Sequence, residues 1–287
     1  MRQSSLIPRW GLIFLIASTL VGCYRIALRE PGTDPGIPTS ESLDTASAGV
    51  IMHTADAASE SGCLLRYNLF RPAAPVSDAV VVLGHGFLRS KERMEGLARA
   101  LAASGMTTVA MDFCNSRLWD GRHYQNGLDM RQVADAVGAG RIVYAGFSAG
   151  GLAALVAARN DSRSLGVLAL DLVDDRGLGL RMAEGLGKPL IGIMGEPAAC
   201  NAQGNGMPVF AASELARVRV LSGAGHCDFE SPTDWLCEAV CDQPAGGSPV
   251  LRGRIVELAV DAAADLMEVS REPSVRARVM RGGVYPE

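Results

Sequence analysis

The chain has 287 residues, of which 48% are hydrophobic and 20% charged, enough apolar material for a full-sized core and too much for wholesale disorder. With 27 Lys+Arg against 31 Asp+Glu the net charge is −4, so no basic excess exists to neutralise phosphates, and nucleic acid is not expected as a partner. Glycine is abundant at 33 residues but has no three-residue period, which excludes collagen, and aromatics at 5% are too sparse for a stacking surface.

The first nine residues carry Arg2 and Arg9 and no acid, and residues 10–21 (WGLIFLIASTLV) are mostly apolar. Such a run is too short to cross about 30 Å of hydrocarbon as a helix, but it fits the apolar region of a secretory signal. It ends in Leu20-Val21-Gly22-Cys23, which resembles the bacterial lipobox. That resemblance implies a signal peptide over 1–22, cleavage before Cys23, and acyl chains such as palmitate on the new terminus. The mature chain is then expected in the bacterial cell envelope, lipid-anchored to a membrane and facing the periplasm or the exterior. Several acyl chains, at about 0.8 kcal/mol per buried methylene, hold a protein there without a transmembrane helix. Residues 23–49 read as lipidated cysteine and flexible tether, because 30–49 (EPGTDPGIPTSESLDTASAG) offer little that could pack. The folded domain is expected over 50–287.

Apolar runs bounded by turns then recur at Cys63–Phe70, Ala79–Leu83, Thr107–Met111, Arg141–Ala145, Leu165–Leu170, Pro189–Met194 and Val218–Leu221. Several are apolar at consecutive positions, as strands covered on both faces of a parallel sheet should be. Helical spacing marks Lys91–Ala103, Met130–Val137, Gly151–Ala158 and Leu251–Met267, where Leu251, Ile255, Leu258, Ala262 and Leu266 form one stripe. The alternation predicts an α/β fold with a mostly parallel central sheet and helices on both faces.

Setting Cys23 aside leaves Cys63, Cys114, Cys200, Cys227, Cys237 and Cys241. An even set in an exported chain favours disulfides, with the pairing left open. Zinc at the closely spaced Cys237 and Cys241 is the rival, but four convergent donors are needed and no second pair of similar spacing exists, so no metal is expected.

The segment Arg141–Leu152 runs from an apolar strand through Gly146-Phe147-Ser148-Ala149-Gly150 into a small-residue helix. A nucleophilic serine on a sharp strand-to-helix turn needs small neighbours two positions either side, and the helix start aims free N–H groups at developing negative charge. Here the chain resembles the α/β-hydrolase superfamily, over roughly Cys63 to Met267. The resemblance implies an oxyanion turn after an earlier strand, supplied by Ala79-Val-Val-Val-Leu-Gly-His-Gly-Phe-Leu88, with the backbone N–H groups of Phe87 and Ala149 as the oxyanion hole. His226, on a Gly-rich loop between a strand and the last helix, takes the place of the catalytic histidine. Of the other histidines, His53 lies near the tether, His123 reads as a solvated loop residue, and His85 as a brace for the oxyanion turn. The acid is expected at Asp171, where the strand end Leu170-Asp171-Leu-Val-Asp174 resembles the chlorophyllase and platelet-activating-factor acetylhydrolase branches. Glu196 and Asp174 are the alternatives.

These roles imply a serine hydrolase that cleaves a small-molecule or lipid ester through an acyl-enzyme, without a cofactor, as a monomer. An acyltransferase using the same acyl-enzyme, or a non-catalytic binding lipoprotein on this fold, are the other readings. Trp119 and Tyr124, with the loops Asp174–Gly187 and Asn201–Gly206, are the residues expected to line or cover the site. No long apolar lid insertion is evident, which favours short or medium acyl esters. The cysteines beside His226 suggest that disulfides pin its loop.

Overall fold

The computed structural model describes residues 49–114, 121–243 and 247–268. The leader, Cys23, the tether up to residue 48 and Trp119 lie outside the described residues, which all fall in one compact unit. In chain order the first half contains β1 (Val50–Ala58), β2 (Leu64–Pro72), β3 (Val80–Gly84), α1 (Glu95–Ala103), β4 (Thr107–Met111), α2 (His123–Ala136), β5 (Ile142–Phe147) and α3 (Ala149–Arg159). The second half contains β6 (Ser164–Leu170), α4 (Leu178–Ala183), β7 (Leu190–Met194), α5 (Met207–Ala211), β8 (Ala216–Val220), α6 (Trp235–Val240) and α7 (Pro249–Glu268).

All strands join one eight-stranded sheet in the order β1-β2-β4-β3-β5-β6-β7-β8. β2 runs antiparallel to β1 and β4, and the remaining pairs are parallel. Because side chains alternate along a strand, each buried run feeds two cores. Val82 and Tyr144 meet Met130 of α2 and Leu155 of α3 on one face, while Val81 and Leu83 meet Leu97 of α1 and Leu266 of α7 on the other. Among the described residues no helix is long and apolar enough to cross a membrane.

The structure differs from the sequence reading in four places. β1 lies where no strand was expected, because this edge strand is almost wholly exposed and its longest apolar run, Val50-Ile51-Met52, is too short to mark it. α2 begins at His123, well before Met130, because its first turns bury Asn126, Gly127 and Asp129 instead of hydrophobic residues. His123 is therefore the first residue of a helix and not a loop histidine. The short helix α4 lies inside the expected loop Asp174–Gly187, and α5 and α6 lie where no element was expected.

Candidate active site

The turn between β5 and α3 is where the sheet makes room for chemistry. Ser148 adopts φ 55° and ψ −120°, a conformation that L-residues rarely occupy and that strong surrounding constraints must hold. Those constraints are visible. The Ser148 N–H donates to the Leu170 carbonyl at the end of β6 over 2.8 Å. A Cβ on Gly146 would overlap the Gly150 backbone, and one on Gly150 would overlap the backbone of Gly84 in β3. The two glycines let α3 start directly beneath the sheet, and Ala149, its first residue, has an N–H with no acceptor inside the helix.

Asp171 stands one residue beyond β6 and is fully buried. Its Oδ2 accepts from Nδ1 of His226 at 2.6 Å. Since a carboxylate oxygen can only accept, Nδ1 carries a proton, and in the neutral ring Nε2 is then the nitrogen with the free lone pair. Gly195 N–H donates to Asp171 Oδ1 at 2.9 Å, and the buried Asn201 amide reaches both carboxylate oxygens at 3.3 Å. Asn201 also donates to the Glu196 carbonyl, while its Oδ1 accepts from the Ala198 and Gly204 N–H groups. The sequence reading did not single out Asn201. Its only local signal is the Asn-x-x-Gly turn, which says nothing of a carboxylate thirty positions upstream.

The alternative acids are engaged elsewhere. Glu196 is exposed and accepts from the Ser222 hydroxyl at 2.9 Å. Asp174 Oδ1 accepts from the Gly179 N–H at 2.6 Å. Of the three candidate carboxylates, only Asp171 meets the ring.

The His226 ring lies 4.6 Å from the Phe147 ring, centroid to centroid, and its loop is braced on several sides. Cys227 N–H donates to Gln243 Oε1 at 2.6 Å, and Asp228 accepts from the Gly225 and Ser248 N–H groups. Phe87 sits in the turn closed by Arg89 N–H and the Gly86 carbonyl. His85 behind that turn is buried, which lowers its pKa, and it spans two backbone groups: Nδ1–H donates to Gly86 O and Nε2 accepts from Phe113 N–H. Arg89 ties the same turn to the histidine loop. Its guanidinium makes paired bonds of 2.6 and 2.8 Å to the buried Glu230 and a third of 2.7 Å to Asp234, the N-cap of α6.

Ser148, His226 and Phe87 line one cavity of about 360 Å³. Its outer wall comes from Leu236, Cys237, Val240 and Cys241 of the α6 segment. This corrects the expectation for the cover, since neither Tyr124 nor the loops 174–187 and 201–206 contribute to that lining, and Trp119 is outside the described residues. The described cysteines pair as Cys63–Cys114, Cys200–Cys241 and Cys227–Cys237. The sulfurs of Cys227, Cys237 and Cys241 lie within 4.8 Å of one another, but each is bonded to another sulfur and none is a thiolate able to bind a metal.

No protein-family model matches the sequence, and no curated protein matches it either. Solved structures do. A putative dienelactone hydrolase from Klebsiella pneumoniae superposes with a TM-score of 0.56 at 18% identity, over 74% of this chain and 97% of its own. A dienelactone hydrolase-like promiscuous phosphotriesterase from metagenomic libraries gives 0.56 at 16% identity, over 76% and 99% of the two chains. A ferulic acid esterase from Streptomyces cinnamoneus gives 0.56 at 18% identity, over 77% and 90%. The chain has the α/β-hydrolase fold.

Proposed function

We propose that this protein is a serine hydrolase of carboxylic esters. One observation carries the reading: a histidine bonded at 2.6 Å to a buried carboxylate shares a cavity with a serine held in a strained strand-to-helix turn. In this account Nε2 of His226 takes the hydroxyl proton as Ser148 attacks the ester carbonyl, and Asp171 orients the ring and stabilises the imidazolium. The N–H groups of Phe87 and Ala149 receive the oxyanion. His226 then protonates the departing alcohol and activates the water that releases the acid from Ser148. The solved hydrolases and esterases of like fold support this reading, as does an acid at the end of β6, the position used by the chlorophyllase and platelet-activating-factor acetylhydrolase branches.

Attachment of the mature chain to a membrane of the bacterial cell envelope, through lipid on Cys23, belongs to the same proposal. It rests on the lipobox-like Leu20–Cys23 alone. Fractionation of cells producing the full chain tests it: Cys23→Ser should move the protein out of the membrane fraction, and equal membrane retention would contradict it. The catalytic reading is tested by hydrolysis of p-nitrophenyl butyrate. Ser148→Ala and His226→Ala should each lose activity by roughly 10⁴-fold or more with the fold intact. Undiminished turnover in Ser148→Ala would overturn it.

A further inference from the structure

Leu236 and Val240 lie one helical turn apart on α6 and line the same cavity as Ser148 and His226. Phe87 and Leu88 of the oxyanion turn line it too. All four remain exposed, Val240 at 71%, so apolar surface borders the nucleophile, and among the described residues none covers it. The acidic and basic lining residues, Arg89 and Glu230, are already committed to each other, and Arg89 also to Asp234. Among the described lining residues an anionic substrate group would therefore lose its hydration without finding a cation other than the His226 ring.

The wall itself is fixed. A helix of six residues does not hold its shape alone, but α6 is bonded through Cys237 to Cys227, next to His226, and its following residue Cys241 is bonded to Cys200, next to Asn201. Both anchors thus lead to the residues around the His226–Asp171 pair. A surface clamped in this way is formed before substrate arrives and loses little freedom on binding.

Resting on the esterase reading, we propose that α6 is the wall of an acyl-binding subsite, which selects neutral esters with aliphatic acyl chains longer than acetyl. Each methylene that the subsite buries should raise kcat/KM about three- to fourfold, until the cavity is filled. The test compares p-nitrophenyl acetate, butyrate, hexanoate and octanoate, with labelling of Ser148 by a small fluorophosphonate read alongside. The wild-type chain should favour butyrate over acetate by roughly tenfold. The p-nitrophenyl half-ester of glutarate, which ends its chain in a carboxylate, should be at least about tenfold poorer than butyrate. Joint Leu236→Ser and Val240→Ser should cut the hexanoate-to-acetate ratio by about tenfold or more. A wild-type profile that falls from acetate onward overturns the subsite, as does a half-ester turned over as well as butyrate. So does an unmoved ratio in the double variant with Ser148 still labelled. Each of these leaves the esterase reading standing. If wild-type Ser148 takes no label and no ester is cleaved, both fall together.

Discussion

At the sheet end of the site, Ser148 and Asp171 are fixed by backbone; at the loop end, His226 is fixed by cross-links. Ser148 N–H bonds to the end of β6, and Asp171 N–H bonds to Ile193 of β7 at 2.7 Å, so both continue the ladder of a buried parallel sheet. His226 lies beyond β8, an edge strand that is half-buried at best, and no ladder reaches it. Two disulfides, the Arg89–Glu230 pair and the Gln243 amide do the positioning there. The contrast teaches that a sheet places a side chain mainly through glycine packing and main-chain bonds, with Asn201 adding one amide at Asp171, whereas a loop past the sheet edge depends on side chains that reach across it. Damage at the sheet end should be all-or-none, and damage at the loop end graded.

The largest effect should come from the sheet end. Gly150→Ala drives a methyl into the backbone of Gly84, so neither strand nor helix can yield cheaply. We expect a loss of more than about 4 kcal/mol, read as failure to obtain folded protein or as a collapse of the thermal midpoint. A near-normal midpoint would break the comparison. Asp171→Asn should come next: kcat/KM falls roughly 10³- to 10⁴-fold, because an amide can hold the ring in the wrong tautomer. The fold should survive, as circular dichroism would check.

Joint Cys227→Ser and Cys237→Ser should act in a graded way. The bridge closes a separation of 10 residues, for which loop entropy gives about 2–3 kcal/mol. Thermal unfolding reads that loss, and activity should decline with temperature before the fold does. The smallest effect belongs to Asp161, remote from the site. Burial pushes its carboxyl up, but hydrogen bonds from Arg163 and Tyr144 outweigh this and hold it at about 2, against the ordinary 3.8. A depressed folded-state pKa means that its stabilisation is complete above about pH 4 and lost as pH falls through about 2. Asp161→Asn should therefore flatten the acid limb of stability between those values and cost about 1–3 kcal/mol near neutrality, with ester hydrolysis unchanged.

Legibility in the sequence follows the same division. β3 and β5 could be read because two-sided burial writes consecutive apolar residues, and the Ser148 turn because its close packing demands Gly146 and Gly150. The expected acid, Asp171, could be picked out because it stands at a strand end, and the structure bonds its carboxylate to the His226 ring. The loop end was harder. Leu236 and Val240 share the four-residue spacing of Cys237 and Cys241, which marks a short helix, yet the cysteine spacing on its own reads equally well as a metal ligand pair. Asn201, Arg89 and Glu230 act through partners far away in the chain, and Glu230 carries no local sign that it is fully buried. β1 and the start of α2 escaped because their burial patterns are not apolar.

The central claim is that His226 and Asp171 make the Ser148 hydroxyl a nucleophile, and intact-protein mass spectrometry after fluorophosphonate treatment tests it most directly. The account requires one adduct per chain, located on Ser148, absent in Ser148→Ala and formed at least about 10³-fold more slowly in His226→Ala. An adduct that persists in Ser148→Ala, or forms at the wild-type rate without the imidazole, would contradict it.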